Sequence, residues 1–335
     1  MNKKGVVFQI LIALFLLTII ETISFLQLNK RGRHFPFLIN FHHSKEIEDS
    51  KEIGFDEINP FWGWNMSDDV LQKNGYNSKN AVISLSTNNP SDSTLRIFIT
   101  GGSTSDIVLD KNNWPILLHR LLSKKNIPHT IYVAAVGGFN SAQEYLRLIE
   151  QGLELKPHFY ISYSGANEAR DFGFITEYEN DFYIQSLDRS ETSFFLPNTI
   201  YFIKTFLLDK KPSLSLAPLP KLKTAERFQK NTKLMYAASK QFGFKYIGIL
   251  QPLNGIANYR PPEPQSFDTT YLMDYRKYYP SMQKFSKENP EILYDLTSIF
   301  DSSSGYIYID DCHLNQIGNQ IVAEEMFKLI KPSVK

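Results

Sequence analysis

Four short segments combine glycines with polar side chains of the kinds that acyl transfer requires. They are GGSTSD at 101–106, GGFNS at 137–141, SGANE at 164–168 and YIDDCHLNQIGN at 308–319. A serine hydroxyl is a weak nucleophile that needs an oriented base, and the oxyanion formed by its attack needs preorganised N–H donors. This set of residue types therefore indicates nucleophilic chemistry at a serine.

The spacing within the segments suggests a role for each residue. Two glycines permit a tight turn before Ser103, which we expect to open a helix whose dipole favours nearby negative charge. Asp310 precedes His313 by three residues, so its carboxylate can fix the imidazole tautomer from within a turn. We predict Ser103, His313 and Asp310 as a catalytic triad. The backbone N–H groups of Ser103 and Gly138 and the side-chain amide of Asn167 are the predicted oxyanion donors.

These segments must be positioned by a sheet, because each follows a predicted β-strand. The predicted strands are 95–100, 130–136, 158–164, 244–252 and 292–297. They alternate with amphipathic helical stretches, a pattern that indicates a doubly wound, flavodoxin-like α/β/α fold with a mainly parallel five-stranded sheet. In open parallel sheets the ligand site lies at the carboxyl ends of the strands, where these segments would meet.

The order of the four segments resembles the SGNH hydrolase superfamily, also called GDSL-like lipases and acylhydrolases. The defining Ser, Gly, Asn and His of that superfamily fall on Ser103, Gly138, Asn167 and His313, within a resemblance that spans about 95–330. The last segment matches most specifically, since D-x-x-H-L-N-x-x-G-N at 310–319 is a long match in register. It opens an amphipathic helix with Ile317, Ile321, Val322 and Met326. The resemblance implies ester hydrolysis through an acyl-Ser103 intermediate, with acyl transfer as a variant, and implies no cofactor. The single cysteine, Cys312, excludes a CxxC metal cluster, and we predict no metal site.

The sequence departs from the superfamily pattern at three places. Gly102 replaces the Asp of the G-D-S turn, Glu168 replaces the Asp of G-x-N-D, and VAAV at 133–136 lacks an asparagine that commonly precedes the glycine. None of these changes removes a predicted catalytic group, although they alter its surroundings.

Simpler roles compete with each assignment. A serine at such a turn is commonly an N-cap, Gly138 and Asn167 can be turn residues, and Asp310 with His313 can be a surface pair. Thr104 and Ser105 are rival hydroxyls, Asp311 is a rival carboxylate and Cys312 is a rival nucleophile. We expect Glu144 and Arg170 on a solvated face beside the crevice, and His119 in a structural position.

The N-terminal stretch 5–28 is almost wholly apolar and long enough to cross a bilayer. We predict an uncleaved signal anchor, with a removed signal peptide as the alternative. Residues 29–89 would be a stalk and lead-in, and 90–335 the hydrolase domain. An insertion at about 171–224 is long enough to form a lid or substrate wall.

The amino-acid composition limits which binding partners the protein can have. The 335 residues carry a net charge of +1 without a long basic run, which argues against nucleic-acid binding, and a single cysteine excludes an internal disulfide framework. An anchored domain suggests an ester on a cell-envelope glycan, and in anchored relatives the catalytic domain more often lies outside the cytoplasm. The alternatives are a lysophospholipase-type lipid esterase and a catalytically silent binding or assembly protein of the envelope.

Overall fold

The structure is a computed structural model that describes residues 15–20, 22–23, 57–59, 62–87, 94–169, 224–261 and 271–330. The chain divides into two compact units, one made of residues 1–52 and 175–221 and the other of 53–174 and 222–335. The second unit contains all five predicted site residues.

In the first unit, residues 15–20 and 22–23 are helical and mostly exposed. Within the described ranges, none of the helices combines the length and the hydrophobicity that a bilayer crossing requires. Most of the predicted anchor, 5–28, and nearly all of the predicted insertion, 171–224, lie outside the described residues, as does Arg170.

Strands and helices alternate along the second unit. The strands are β1 (Glu57–Asn59), β2 (Gly63–Asn65), β3 (Ser78–Lys79), β4 (Val82–Ser86), β5 (Leu95–Gly101), β6 (His129–Val133), β7 (Phe159–Ser164), β8 (Lys245–Leu250) and β9 (Leu293–Asp295). The helices are α1 (Asp68–Lys73), α2 (Trp114–Lys124), α3 (Ser141–Arg147), α4 (Ala166–Ala169), α5 (Thr224–Phe242), α6 (Leu272–Glu288) and α7 (Gln316–Ile330). A π-helical turn, Leu148–Gly152, continues α3.

Strands β3 to β9 form one sheet in the order β3-β4-β6-β5-β7-β8-β9, and β1 and β2 form a separate ribbon. Five adjacent strands pair in parallel, in the order β6-β5-β7-β8-β9. This is the strand order of a flavodoxin-like sheet. The predicted α/β class with a mainly parallel sheet is confirmed. The predicted count of five strands is wrong, because the sheet has seven.

The two additional strands come from the stretch predicted as lead-in. Strand β4 pairs antiparallel with β6, and β3 pairs antiparallel with β4 at the edge of the sheet. Strand β4 lies next to this edge, and only its Val82 and Ile83 are buried. It therefore lacks the continuous apolar run by which the central parallel strands were recognised.

The core has two layers because successive strand residues point to opposite faces of the sheet. On one face, Ile97 and Ile99 of β5 lie in a cluster with Trp114 of α2 and Met326 of α7. On the other face, Phe98 lies in a cluster with aromatic side chains of β7 and β8 and with Met235 of α5. Ile317 of α7, predicted on the apolar face of that helix, is instead 58% exposed.

The direction of chain connection reverses at β5, which lies between β6 and β7. At such a switch point the loops after neighbouring strands separate to opposite sides of the sheet and leave a crevice at its carboxyl edge. The segments after β5, β6 and β7 are those of Ser103, Gly138 and Asn167. The fold therefore directs three of the predicted site segments toward one edge.

Candidate active site

The turn after β5 carries Ser103. A single 3₁₀ turn, Ser103–Ser105, follows the strand, and helix α2 begins only at Trp114. Ser103 thus opens a single 3₁₀ turn, and the α-helix expected to start there begins only at Trp114. The Asp106 carboxylate accepts the N–H of Val108 at 3.0 Å, and such a local side-chain bond competes with continuation of a helix.

The other hydroxyls of this turn are engaged in the core. Ser105 is fully buried, and its Oγ accepts the indole N–H of Trp114 at 3.0 Å. The turn is packed so closely that a Cβ at Gly101 would lie 2.7 Å from Ser105 Oγ and 2.9 Å from the Tyr163 carbonyl oxygen. Thr104 is buried, with its Oγ1 3.5 Å from Gln251 Oε1.

Ser103, His313 and Asp310 form one hydrogen-bonded chain. His313 Nε2 lies 2.7 Å from Ser103 Oγ, and His313 Nδ1 lies 2.6 Å from Asp310 Oδ2. The opposite ring nitrogens of one imidazole thus bridge a carboxylate and a hydroxyl that are more than 200 residues apart in sequence. This arrangement lets the imidazole accept the serine proton while the carboxylate fixes its tautomer.

The turn before His313 holds the carboxylate in place. Asp310 Oδ1 accepts the backbone N–H of Cys312 at 2.8 Å and that of His313 at 2.7 Å. Burial opposes ionisation of Asp310, but the hydrogen bonds from the His313 side chain and from the two backbone N–H groups outweigh it and keep its pKa well below its usual range. The hydrogen bond to Asp310 in turn raises the pKa of His313 well above its usual value.

The rival residues of this segment point elsewhere or make weaker contacts. The Tyr275 hydroxyl donates a hydrogen bond to Asp311 Oδ2, so Asp311 is directed to helix α6. Cys312 is buried, with its Sγ 3.6 Å from His313 Nδ1. Ligand atoms of Asp310, Cys312 and His313 lie within 4.8 Å of one another, as a metal site would require. Both nitrogens of His313, however, already have partners in Asp310 and Ser103.

The loops after β6 and β7 meet beside the serine turn. Gly138 has a φ of +84°, a conformation that favours glycine. The Asn167 side-chain amide donates to the Phe139 carbonyl oxygen at 2.8 Å. A Cβ at Gly102 would lie 2.4 Å from Asn167 Nδ2, so the amide lies directly against the backbone that precedes Ser103. The structure thus brings the Asn167 amide beside the turn of Ser103.

No protein-family model and no curated protein matches the sequence. Among solved structures, the acetyl xylan esterase AlAXEase is 16% identical, with 70% of this chain and 100% of that chain covered and a TM-score of 0.44. The acetylxylan esterase Axe2 from Geobacillus stearothermophilus is 12% identical over 71% of this chain and 94% of its own, with a TM-score of 0.44. A protein described as a GDSL-like lipase, from Parabacteroides merdae, is 14% identical over 72% and 96%, with a TM-score of 0.43. The chemistry of this chain must therefore be argued from its own side-chain geometry.

Three buried carboxyl groups lie around the site in addition to the predicted site residues. Asp106, Glu144 and Glu168 are each at most 4% exposed. The expectation that Glu144 lies on a solvated face is wrong, because its carboxylate accepts the hydroxyls of Ser164 and Thr100 inside the sheet–helix layer. The polar Thr100 and Ser164 at the ends of two buried strands were a sequence signal for such a partner.

Proposed function

We propose that the protein is a serine-dependent ester hydrolase in which Ser103 is the nucleophile, His313 the general base and Asp310 the residue that orients the base. The observation that carries this proposal is the hydrogen-bonded chain from Asp310 Oδ2 through His313 to Ser103 Oγ, with distances of 2.6 and 2.7 Å. These three side chains supply the nucleophile, the base and the group that orients the base, which acyl transfer requires.

In the proposed reaction, Ser103 Oγ attacks the ester carbonyl carbon while His313 Nε2 takes the serine proton. The backbone N–H groups of Ser103 and Gly138 and the amide of Asn167 stabilise the resulting oxyanion. The tetrahedral intermediate collapses to an acyl-Ser103, and His313 returns the proton to the departing alcohol. Water, activated by His313, then releases the acid and restores Ser103.

For the substrate, we propose an acyl or O-acetyl ester on a cell-envelope glycan. The apolar stretch 5–28 supports this location, because a membrane anchor would confine the enzyme to the envelope. We propose in addition that the catalytic domain lies outside the cytoplasm. A lipid esterase and a catalytically silent binding protein are the alternatives that the experiment below separates.

The test is turnover of p-nitrophenyl acetate and p-nitrophenyl octanoate by the unaltered protein and by its Ser103→Ala and His313→Ala variants. Ser302→Ala, a change of an exposed serine, is the matched control. We expect acetate turnover that both site variants lose by roughly 10³-fold or more and that the control retains. A preference for octanoate would favour the lipid esterase. Equal rates in a folded protein and its Ser103→Ala variant would refute the serine mechanism and leave glycan binding as the next assay.

A further inference from the structure

The three predicted oxyanion donors come from three separate loops, which must be held in register for the donors to converge. A donor that moves by about 1 Å loses much of its effect on an oxyanion. The loops follow β5, β6 and β7, and their residues are far apart in sequence. Side chains that cross-link these loops therefore bear directly on catalysis.

Asp106 connects the first loop to the second. It lies three residues after Ser103 and is 1% exposed. Its Oδ1 accepts the Val108 N–H within its own turn, and its Oδ2 accepts the N–H of Gly137 at 3.0 Å. Gly137 immediately precedes Gly138, so this one carboxylate fixes the peptide next to a predicted donor relative to the turn of the nucleophile.

Glu168 connects the second loop to the third. It is 4% exposed and follows Asn167 in helix α4. One of its carboxylate oxygens accepts the N–H of Ser141 at the start of α3, and the other accepts the N–H of Gly165 at 3.1 Å. The hydrogen bond from the Asn167 amide to the Phe139 carbonyl oxygen is a second connection between the same two loops. The loop 137–141 is therefore held at both ends by carboxylates.

We propose that Asp106 and Glu168 are positioning residues, which hold the loop of Gly138 against the turn of Ser103 and the helix of Asn167. The role in oxyanion stabilisation rests on the proposed esterase function. A carboxylate suits this role because each of its oxygens can accept a backbone N–H that would otherwise be buried without a partner.

The charges around Glu168 agree with this assignment. The backbone N–H groups of Ser141 and Gly165 donate to Glu168, and these hydrogen bonds favour its charged form. Burial, together with the nearby charge of Glu168, raises the pKa of Glu144 to about 8. Burial raises the pKa of Glu168 as well, and the hydrogen bonds from Ser141 and Gly165 oppose that rise.

The test compares Asp106→Asn and Glu168→Gln in the full chain by two measurements. The first is hydrogen–deuterium exchange of the peptide that spans 137–141, and the second is kcat and KM for p-nitrophenyl acetate. We expect faster exchange in that peptide and a kcat lowered by about 10- to 100-fold, with KM changed less than about threefold. Glu168→Asp, which keeps the charge, should recover a large part of kcat.

The matched control is Ser286→Ala. This change removes a buried hydrogen bond to the carbonyl oxygen of Leu293, the first residue of the outermost strand β9. It should lower thermal stability without altering kcat or exchange at 137–141. If the unaltered protein shows no turnover that depends on Ser103, yet exchange still accelerates in both site variants, the esterase proposal fails and the positioning role stands. Unchanged exchange in both variants, or a kcat that falls no further than in Ser286→Ala, would overturn the positioning role.

Discussion

The imidazole of His313 is held on both sides, by Asp310 at Nδ1 and by Ser103 at Nε2. The hydrogen bond to Asp310 favours the protonated ring and raises the pKa of His313. A protonated ring cannot accept the Ser103 proton, so activity must rise as the pH rises through that pKa. The carboxylate thus sets both the orientation and the pH range of the base.

Asp310→Asn should therefore change the pH profile as well as the rate. We expect kcat to fall by roughly 10³- to 10⁴-fold, because an amide no longer fixes the productive tautomer. The midpoint of the acidic limb of kcat/KM should move to lower pH, toward the ordinary histidine value of about 6.5. The measurement is kcat/KM from pH 5 to pH 10 for both proteins. A midpoint that stays in place would contradict the assignment of this limb to His313.

The close packing around Gly102 allows a second prediction at the residue scale, on the effect of adding a methyl group there. A methyl group at this position would lie 2.4 Å from Asn167 Nδ2 and 3.2 Å from the Phe139 carbonyl oxygen, so Gly102→Ala must displace the Asn167 amide. We expect kcat to fall by about 10²-fold in a folded protein. The control is Gly305→Ala, since a Cβ there would meet no atom within 4 Å. Normal activity of Gly102→Ala would argue against Asn167 as an oxyanion donor.

At the scale of elements, helix α6 supports the loop that carries Asp310 and His313. Its buried side chains pack with Leu250 at the end of β8 and with Cys312. The Tyr279 hydroxyl donates to the Gln251 carbonyl oxygen at 3.2 Å, and the Tyr275 hydroxyl donates to Asp311. The N-terminal half of this helix is thus linked to the position of the base through Tyr275 and Tyr279.

Two methionines on opposite faces of α6 test which face is in the core. Met282 is fully buried, whereas Met273 is 81% exposed. We expect Met282→Ala to lower the free energy of unfolding by about 2–5 kcal/mol through the cavity it leaves. Met273→Ala should change it by less than about 0.5 kcal/mol. Urea titrations of both variants supply the measurement, and equal losses would mean that the helix faces are wrongly assigned.

At the scale of the whole molecule, residues 78–86, which precede the predicted domain start at residue 90, belong to the sheet. Strand β4 pairs with four residues of β6, from Thr130 to Val133, and the Arg147 guanidinium donates to the Ala81 carbonyl oxygen at 2.6 Å. Trp62 packs in a cluster with Val136 and Phe139, which flank the glycines of the second loop. Removing this segment would expose an edge of the sheet and part of the core.

A chain begun at residue 90 should therefore aggregate or melt without a cooperative transition, because a bare β6 edge is a template for pairing with other chains. A chain begun at residue 53, where the second compact unit starts, should keep a cooperative transition. Thermal melts and gel filtration of both proteins make the comparison. Equal melting temperatures would show that the segment contributes little to the domain.

The sequence by itself determined the residue types of the site and the elements that carry them. The buried parallel strands were recognisable because strands covered on both faces leave nearly continuous apolar runs, and the turns that follow them are marked by glycine and polar residues. Strands β3 and β4, at the edge of the sheet and next to it, are partly exposed and carry no such run, so the sequence does not predict them. The glycines before Ser103 predict a helix start, whereas the local hydrogen bond of Asp106 limits the helical structure there to a single 3₁₀ turn.

Only the tertiary structure decided which side chains meet. Ser103 and His313 are joined across 210 residues, and Glu168 reaches Ser141 across 27. Likewise, Asp311 is directed to Tyr275, and Glu144 is buried although its sequence neighbours suggest a surface. Local sequence patterns indicate which segments are buried and where the chain turns. The pairing of carboxylates with distant N–H and O–H groups depends on how the loops pack at the edge of the sheet, which no local pattern encodes.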